Sequence, residues 1–243
     1  QEWGLATCTN GEVFFDGPGR FSAWRTTLLD YFPRDLHLKK MATRCMQMAQ
    51  AGQYNLPRCL ERGDSIGAML ALGRFSEAAL SLACLLNRRY LPFYKWAWRT
   101  VQGLPRLGAD MCTALQQAAA APLTTEEGGQ KAVAAVEDIC ALVAAELRRQ
   151  GLSDEQDSWL WLHGPIVMGR CARWRSCAWT CCGINGQDTA GTAGRRLRPA
   201  ARFGNMGPAW PDVCAYGPAE EIFSGVRTWM RKAGSRRSVP PAS

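Results

Sequence analysis

The feature that most constrains this sequence is one long stretch of helical periodicity between residues 130 and 150. Apolar side chains recur there at steps of three and four residues, at Val133, Val136, Ile139, Cys140, Val143 and Leu147. Such steps place all six on one face of an α-helix. Arg148 and Arg149 suit the negative end of the helix dipole, and Gly151 suits the position just past it. A chain with this helix must bury that face against other elements.

Weaker signals of the same kind predict further helices. Apolar periodicity covers residues 22–31, 36–51, 58–90 and 100–120. Gly63 interrupts the longest of these and predicts a break there, because glycine is a poor residue for a helix interior.

Three other signals set the remaining local expectations. The segment from Gly52 to Pro57 is predicted to interrupt the second helix. Ser153 and Gln156 have the spacing of a capping box, which predicts that another helix begins there. Residues 8–20 carry turn signals around a β-prone run and predict an extended segment or a hairpin.

The sequence therefore predicts a mainly α fold in three parts. Residues 1–34 form an extended segment and a short helix, which we interpret as a remnant of, or link to, a preceding domain that is missing. Residues 35–168 form a helical bundle. Residues 169–243 form an irregular basic tail.

The tail differs in composition from everything before it. Residues 1–165 hold 17 Lys and Arg against 17 Asp and Glu, so the net charge of +8 lies wholly in the last third. Arg, Trp, Cys, Gly and Pro dominate there, which fits neither a packed helix nor an ordinary disordered segment. We interpret it as a frame-shifted reading of a gene. Because the charges of residues 1–165 balance, we do not expect that part of the chain to bind nucleic acid. We also expect no zinc site in the tail, because Cys177, Cys181 and Cys182 lack metal-ligand spacing.

The cysteines indicate the compartment. Six of the 11 are spread singly on apolar helical faces, where a free thiol behaves as a small buried side chain. An odd total without a secretory leader argues against a disulfide framework. No apolar run approaches the length of a membrane span. We therefore expect a cytoplasmic protein with no membrane partner.

The densest polar cluster before the tail lies at residues 87–99. It places Arg88, Arg89, Tyr94 and Lys95 at the end of a long apolar helix, and cations beside aromatic rings can hold a nucleotide or another anion. The alternative is structural, because cations also stabilise the C-terminal end of a helix.

A second cluster surrounds Tyr54 and Arg58 at the predicted helix break. Binding groups often lie at such breaks, although capping and surface ion pairs are the structural alternative. Neither His37 nor His163 belongs to a metal-ligand pair; we expect His37 on a helix surface and His163 at a helix end. No phosphate-binding loop, nucleophile elbow or metalloprotease motif occurs, and no Gly-Ser is followed by the acidic pair that nucleotidyltransferases use to hold metal ions.

Several segments together resemble an uncharacterised bacterial family that follows a nucleotidyltransferase-like domain in longer proteins. The most specific are LNRRYLPFYKW (residues 86–96) and ELRRQGLS (residues 146–153), and QAGQYN (50–55) and RCLERGD (58–64) add to them. The resemblance covers roughly residues 4–165, with the order and spacing preserved.

The resemblance implies a helical C-terminal part that faces the nucleotide or the acceptor of a two-part enzyme. It implies that an upstream catalytic domain holds two Mg²⁺ ions and a nucleoside triphosphate, while this chain itself supplies no cofactor ligand and no catalytic residue. Arg88, Arg89, Tyr94, Lys95, Tyr54 and Arg58 become the expected binding residues for a nucleotide or a small-molecule acceptor. The alternative from the sequence is a non-enzymatic helical module that binds another protein.

Overall fold

The computed structural model describes residues 2–172, and within that range the fold is all helix and loop, with no strand. The mainly α fold is therefore as predicted. The predicted tail beyond residue 172 lies outside the described residues. The elements, in chain order, are α1 (Glu2–Thr9), α2 (Arg20–Leu29), α3 (Arg34–Met48), a π-helix (Ala49–Asn55), α4 (Leu56–Glu61), α5 (Ser65–Leu86), α6 (Tyr94–Gln102), α7 (Gly108–Ala120), α8 (Glu126–Arg149) and α9 (Leu160–Gly169).

The centre of the fold is an antiparallel helical hairpin. One arm runs through α3, the π-helix and α4, and the other is α5. His37 Nε2 lies 2.9 Å from the backbone oxygen of Leu85, while Gly52 lies against the ring of Phe75. Residue numbers rise along one arm as they fall along the other. Side chains far apart in the sequence therefore face each other across this hairpin.

A tight turn joins the two arms at the predicted break. Gly63 has a φ of 68°, a left-handed conformation that glycine adopts without strain. Asp64 then caps α5, because its carboxylate accepts a hydrogen bond of 2.8 Å from the backbone N–H of Gly67. The break predicted near Gly63 is confirmed.

The π-helix replaces the interruption predicted between Gly52 and Pro57. Pro57 has no N–H to donate, so the hydrogen bonds of the turn before it must rearrange. The chain accommodates this with one wide turn over Ala49–Asn55, and Pro57 lies in the first turn of α4, where a missing N–H is tolerated. The α-helix is therefore interrupted near the predicted place, but by a π-helix and not by a loop, so the arm stays helical throughout.

The longest predicted helix is confirmed as α8. Thr125 caps its start by accepting a hydrogen bond from the N–H of Gly128, and Gly151 has a φ of 65° just past its end. This helix packs against α7 and α4, and α9 packs against α3. The four longest helices therefore enclose one core, and all described residues lie in a single compact unit.

The capping box predicted at Ser153 and Gln156 does not open a helix. The hydroxyl of Ser153 accepts a bond from the N–H of Glu155, two residues on, which closes a local turn. Such side-chain to backbone bonds compete with helix formation. The chain remains irregular until α9 begins at Leu160.

The predicted N-terminal hairpin is also absent. Residues 10–19 form an irregular loop between α1 and α2. The guanidinium of Arg25 holds this loop by donating to the backbone oxygens of Thr9 and Gly11. Phe14 and Phe15, the β-prone residues, are 94% and 90% exposed. No second strand lies alongside them within residues 2–172, and an isolated strand has no source of stability.

A buried carboxylate, that of Glu146, links the ends of α8 and α5 with the loop between α6 and α7. Glu146 in α8 is 7% exposed and accepts hydrogen bonds from Arg149 and Gln150, and Arg106 lies 3.9 Å away. Burial raises the pKa of this carboxyl, but these hydrogen bonds and the neighbouring guanidinium charges outweigh it and lower the pKa below its ordinary value. Gln150 also donates to the last carbonyl of α5, Leu86. The group therefore fixes the C-terminal end of α5.

One helix among the described residues, α5, is long and apolar enough to cross a membrane by length and composition alone. Just over half of its most apolar window is buried inside the fold. Core helices of soluble proteins pass the same test, so this is weak evidence for a span. The helix acts here as the second arm of the central hairpin.

Candidate functional site

The predicted site residue Arg88 has a structural position in the fold. It follows the last turn of α5 with a φ of 52°. Its Nη2 donates to the backbone oxygen of Asp30 at 3.1 Å, and its guanidinium carbon lies 5.4 Å from the centre of the Tyr31 ring. Both interactions tie the end of α2 to the end of α5.

Arg89 and Tyr90 belong to the same junction. The hydroxyl of Tyr31 donates to the backbone oxygen of Arg89 at 3.0 Å, and the hydroxyl of Tyr90 donates to the backbone oxygen of Leu28 at 2.8 Å. The rings of Tyr31 and Tyr90 lie 4.9 Å apart. Burial raises the pKa of the Tyr31 phenol further above neutrality. The backbone of Arg89 is thus structural, while its side chain is exposed.

Tyr94 and Lys95 lie on the outer face of α6. Tyr94 is 77% exposed and its ring is 4.6 Å from that of Phe93. Lys95 Nζ lies 5.7 Å from the centre of the Trp96 ring, which is itself half exposed. The face offers a cation and open aromatic rings to solvent. A role of Tyr94 and Lys95 in nucleotide binding stays a prediction.

Tyr54 and Arg58 form a stacked pair on the first arm of the hairpin, before the turn at Gly63. They are four residues apart, where helical side chains meet. Arg58 Nη1 donates to the Tyr54 hydroxyl, and the guanidinium carbon lies 4.8 Å from the ring centre. The structure therefore brings these two predicted residues together.

The two predicted clusters do not lie together. Gly52 packs on Phe75, so the Tyr54 pair lies level with the first half of α5. Arg88 follows Phe75 by 13 positions, which corresponds to roughly 20 Å along a helix. One small molecule does not span that distance, so the six residues predicted from the sequence do not make a single site.

A groove lined mainly by polar side chains lies between the two arms of the hairpin. Its volume is about 370 Å³, within the range of small-molecule sites. It lies beside the π-helix, and wide turns of this kind are frequent at functional sites. The lining residues are Arg44, Gln47, Gln50, Ala51, Asn55, Arg74, Glu77 and Ala78.

Arg44 is held in place at one side of this groove. Its Nε donates to the hydroxyl of Ser81, a fully buried residue, at 2.9 Å, and its Nη1 donates to Gln47. Arg74 lines the same groove from α5, seven positions before Ser81, and is exposed. Neither arginine forms an ion pair with a described carboxylate. The groove therefore presents two uncompensated guanidinium groups, with Glu77 as the acidic group in the lining.

The sequence did not reveal these groove residues as a site. Arg44 lies off the apolar stripe of α3 and looks like a solvated side chain, and Arg74 is 30 positions away. The available signal was the QAGQYN segment, since a glycine flanked by amides inside a helix is unusual. Gly52 in that segment is fully enclosed by Phe75 and Val136.

Gln53, also in the π-helix, is a buried structural hub. Its amide donates to Glu137 at 2.8 Å and to the backbone oxygen of Ser158 at 3.3 Å, and its oxygen accepts from the N–H of Leu160 at 3.0 Å. Burial raises the pKa of Glu137, although the bond from Gln53 opposes this. The hub joins the π-helix to α8 and to the start of α9.

The two histidines are buried to different degrees rather than placed as predicted. His37 is half-buried, and burial lowers its pKa while the Leu85 carbonyl opposes this. His163 is fully buried inside α9, with Nε2 at 2.7 Å from the backbone oxygen of Asp157. The expectations of a surface histidine and a helix-ending histidine are therefore wrong. Among residues 2–172 no group of three His, Cys, Asp or Glu side chains is arranged to hold a metal ion.

Four thiols of the described residues are not placed for nucleophilic chemistry. Cys45, Cys84, Cys112 and Cys140 are buried in the core, as the sequence indicated. Burial raises the pKa of Cys45 and of Cys84 to about 12, so both remain protonated at neutral pH.

Comparison with known proteins gives one match. No curated protein and no solved structure matches the chain. One family model matches residues 1–97, a range that ends inside α6 and includes all lining residues of the groove. The resemblance expected from the sequence extended further, to residue 165. Residues 1–97 are similar to an uncharacterised family whose model is described as "Domain of unknown function (DUF4037)".

Proposed function

We propose that this chain is a helical substrate- or nucleotide-facing domain of a nucleotidyltransferase-like protein, and that the groove beside the π-helix makes the contact with the small molecule. The observation that carries the proposal is the pair of guanidinium groups, Arg44 and Arg74, which line the groove without a carboxylate partner among the described residues. Guanidinium groups are the side chains best suited to phosphate.

The proposal assigns the chemistry to an upstream catalytic domain. Carboxylates of that domain would hold two Mg²⁺ ions, and these ions would bind a nucleoside triphosphate, whose nucleoside monophosphate part would be transferred to a small molecule or a protein with release of pyrophosphate. Here the chain would bind and orient a ligand without taking part in bond making.

Calorimetric titration of the full chain with ATP and with small phosphate esters tests the proposal. Arg74→Gln should weaken whichever ligand binds, since a charge-assisted hydrogen bond is lost. Arg62→Gln removes the same charge on the hairpin turn, outside the groove, and should leave binding unchanged. Absence of binding by ATP and by every phosphate ester would sink the proposal.

The outer face of α6 has its own test. If Lys95 contacts the nucleotide, as the sequence predicts, Lys95→Ala should weaken ATP binding by the full chain. Arg62→Ala, on the hairpin turn and away from α6, serves as the control. Equal ATP affinity in Lys95→Ala and the unsubstituted chain would remove α6 from the site and leave the groove.

A second function, a non-enzymatic module that binds another protein, is favoured by one surface. Ile66, Met69 and Leu70 lie on one face of the first turns of α5 and are 63%, 55% and 59% exposed. Adjacent exposed apolar side chains often mark a protein interface. This function predicts a stable complex with another protein that Leu70→Glu disrupts, together with no binding of nucleotides. Nucleotide binding without such a complex would favour the first function.

A further inference from the structure

The groove between α3, the π-helix and α5 has no aromatic side chain on which a nucleobase could stack. Its apolar lining residues are Ala51 and Ala78. Bases are normally held by stacking on aromatic rings inside a partly apolar pocket. This groove instead offers amide, guanidinium and carboxylate groups, which suit a strongly hydrated ligand.

We propose that the groove binds a phosphorylated polyhydroxy compound, such as a sugar phosphate, rather than a nucleotide. The inference rests on the proposed function and names the substrate class of the same site. Arg44 and Arg74 would take the phosphate. Gln50, Asn55 and Glu77 would take the hydroxyl groups.

The phosphate would bind at Arg44, because hydrogen bonds already hold the guanidinium of this residue in place. Two of its three nitrogens are already committed, Nε to Ser81 and Nη1 to Gln47. Nη2 has no hydrogen bond to another described side chain or carbonyl, so its N–H groups are available for an anion. Arg74 lines the same groove from α5. A phosphate lying between them would accept hydrogen bonds from Nη2 of Arg44 and from the guanidinium of Arg74.

The hydroxyl end is defined by groups that both donate and accept. The side-chain amides of Gln50 and Asn55 each offer N–H and C=O, and the carboxylate of Glu77 accepts. A hydroxyl also donates and accepts, so alternating amide and carboxylate partners match a row of hydroxyls. Glu77 would repel a second or third phosphate. The two arginines and one glutamate of the lining therefore match a phosphate monoester better than a triphosphate.

The test measures binding to the full chain by calorimetry. The probes are glucose 6-phosphate, ribose 5-phosphate, glycerol 3-phosphate, inorganic phosphate, AMP and ATP. At least one of the three polyol phosphates should bind more tightly than inorganic phosphate and AMP. Arg74→Gln should weaken that binding roughly tenfold or more, as expected for a lost charge-assisted bond. Arg62→Gln, the matched control on the hairpin turn, should leave it unchanged.

Glu77→Gln separates hydroxyl recognition from simple charge attraction. Removing the carboxylate should strengthen inorganic phosphate binding, because a repulsive charge is lost. The same change should weaken the polyol phosphate, because an acceptor is lost. An affinity for polyol phosphate that rises in parallel with that for inorganic phosphate would overturn the inference.

Three other results of these titrations would also overturn the inference. AMP or ATP binding that depends on Arg74, with weaker binding of all three polyol phosphates, would overturn this inference and support the proposed function. Binding of inorganic phosphate as tight as that of every polyol phosphate would show an unselective anion site and overturn it too. Absence of binding by every probe would overturn both.

Discussion

Replacing Gly52 with alanine should destabilise the protein, although the same change in most helices is stabilising. Gly52 is buried in the π-helix. A methyl group there would meet Phe75, with Cε2 of the ring at 2.8 Å, and Cγ1 of Val136 also at 2.8 Å. Atoms in real structures do not approach so closely. Phe75 and Val136 are both completely buried, so neither has free space into which it can move.

The magnitude follows from two opposing contributions. Alanine in place of glycine favours a helix by about 1 kcal/mol. Overpacking a filled core costs about 1–3 kcal/mol, and the upper half of that range applies where two rigid neighbours block the new atom. The net expectation for Gly52→Ala is a loss of about 1–2 kcal/mol in the free energy of unfolding.

Gly73→Ala is the matched control. Gly73 is also helical, but it is exposed on α5 and an added methyl would meet nothing within 4 Å. Only the higher helix propensity of alanine remains, so the free energy of unfolding of this variant should rise by about 0.5–1 kcal/mol. The same substitution is thus expected to act with opposite signs at two positions.

Urea unfolding of the full chain, followed by circular dichroism at the helix minimum, measures both changes. Adding Phe75→Leu to Gly52→Ala should recover part of the loss, because the smaller side chain makes room and the two effects are not additive. A Gly52→Ala variant as stable as the unsubstituted chain would refute the packing argument. Strict additivity with Phe75→Leu would refute the assignment of the clash to that ring.

Three further predictions follow from the fold. Gln53→Leu should lower the free energy of unfolding by about 1–3 kcal/mol, because the N–H of Leu160 loses its buried acceptor; chemical denaturation measures this, and an unchanged midpoint would contradict it. The pKa of Glu146 is lower in the folded than in the unfolded chain, so its stabilisation is present above the ordinary glutamate pKa and is lost as the pH falls through the folded value; stability profiles below pH 5 should be flatter in Glu146→Gln. Cys45 and Cys84 should resist iodoacetamide in the native chain at pH 7.5 and react after unfolding, which peptide mass mapping detects; native modification would contradict their burial.

Sequence periodicity was sufficient to locate most helices but not the π-helix. In α8 each turn alternates between core and solvent, so the pattern of apolar residues carries the structure directly. In the π-helix the hydrogen-bond pattern depends on Pro57 and on the contact between Gly52 and a ring 23 positions later. No local pattern contains that contact. Gly52 and Pro57 therefore predicted an interruption, which the folded chain accommodates as a π-helix.

The candidate site was harder to predict for a related physical reason. A cation beside aromatic rings looks the same in sequence whether its partner is a ligand or the fold itself. For Arg88 the partner is Tyr31, which lies 57 positions earlier. Arg44 and Arg74 carry no such local signal, because only the antiparallel pairing of the hairpin arms brings them to one groove. Long-range pairing, not composition, assembles the site.

The π-helix also preserves the rotational phase between the two ends of the first hairpin arm. An α-helix turns by about 100° per residue, and a wide turn holds more residues for the same rotation. Removing one residue from 49–55 would therefore let an ordinary α-helix form while α3 and α4 kept nearly the same rotational phase. The apolar stripe of α3 would still face α5. Removing one residue from within α3 would instead rotate the residues before the deletion by about 100° and turn their part of the stripe away from α5. A one-residue deletion is consequently expected to cost less stability inside the π-helix than inside α3.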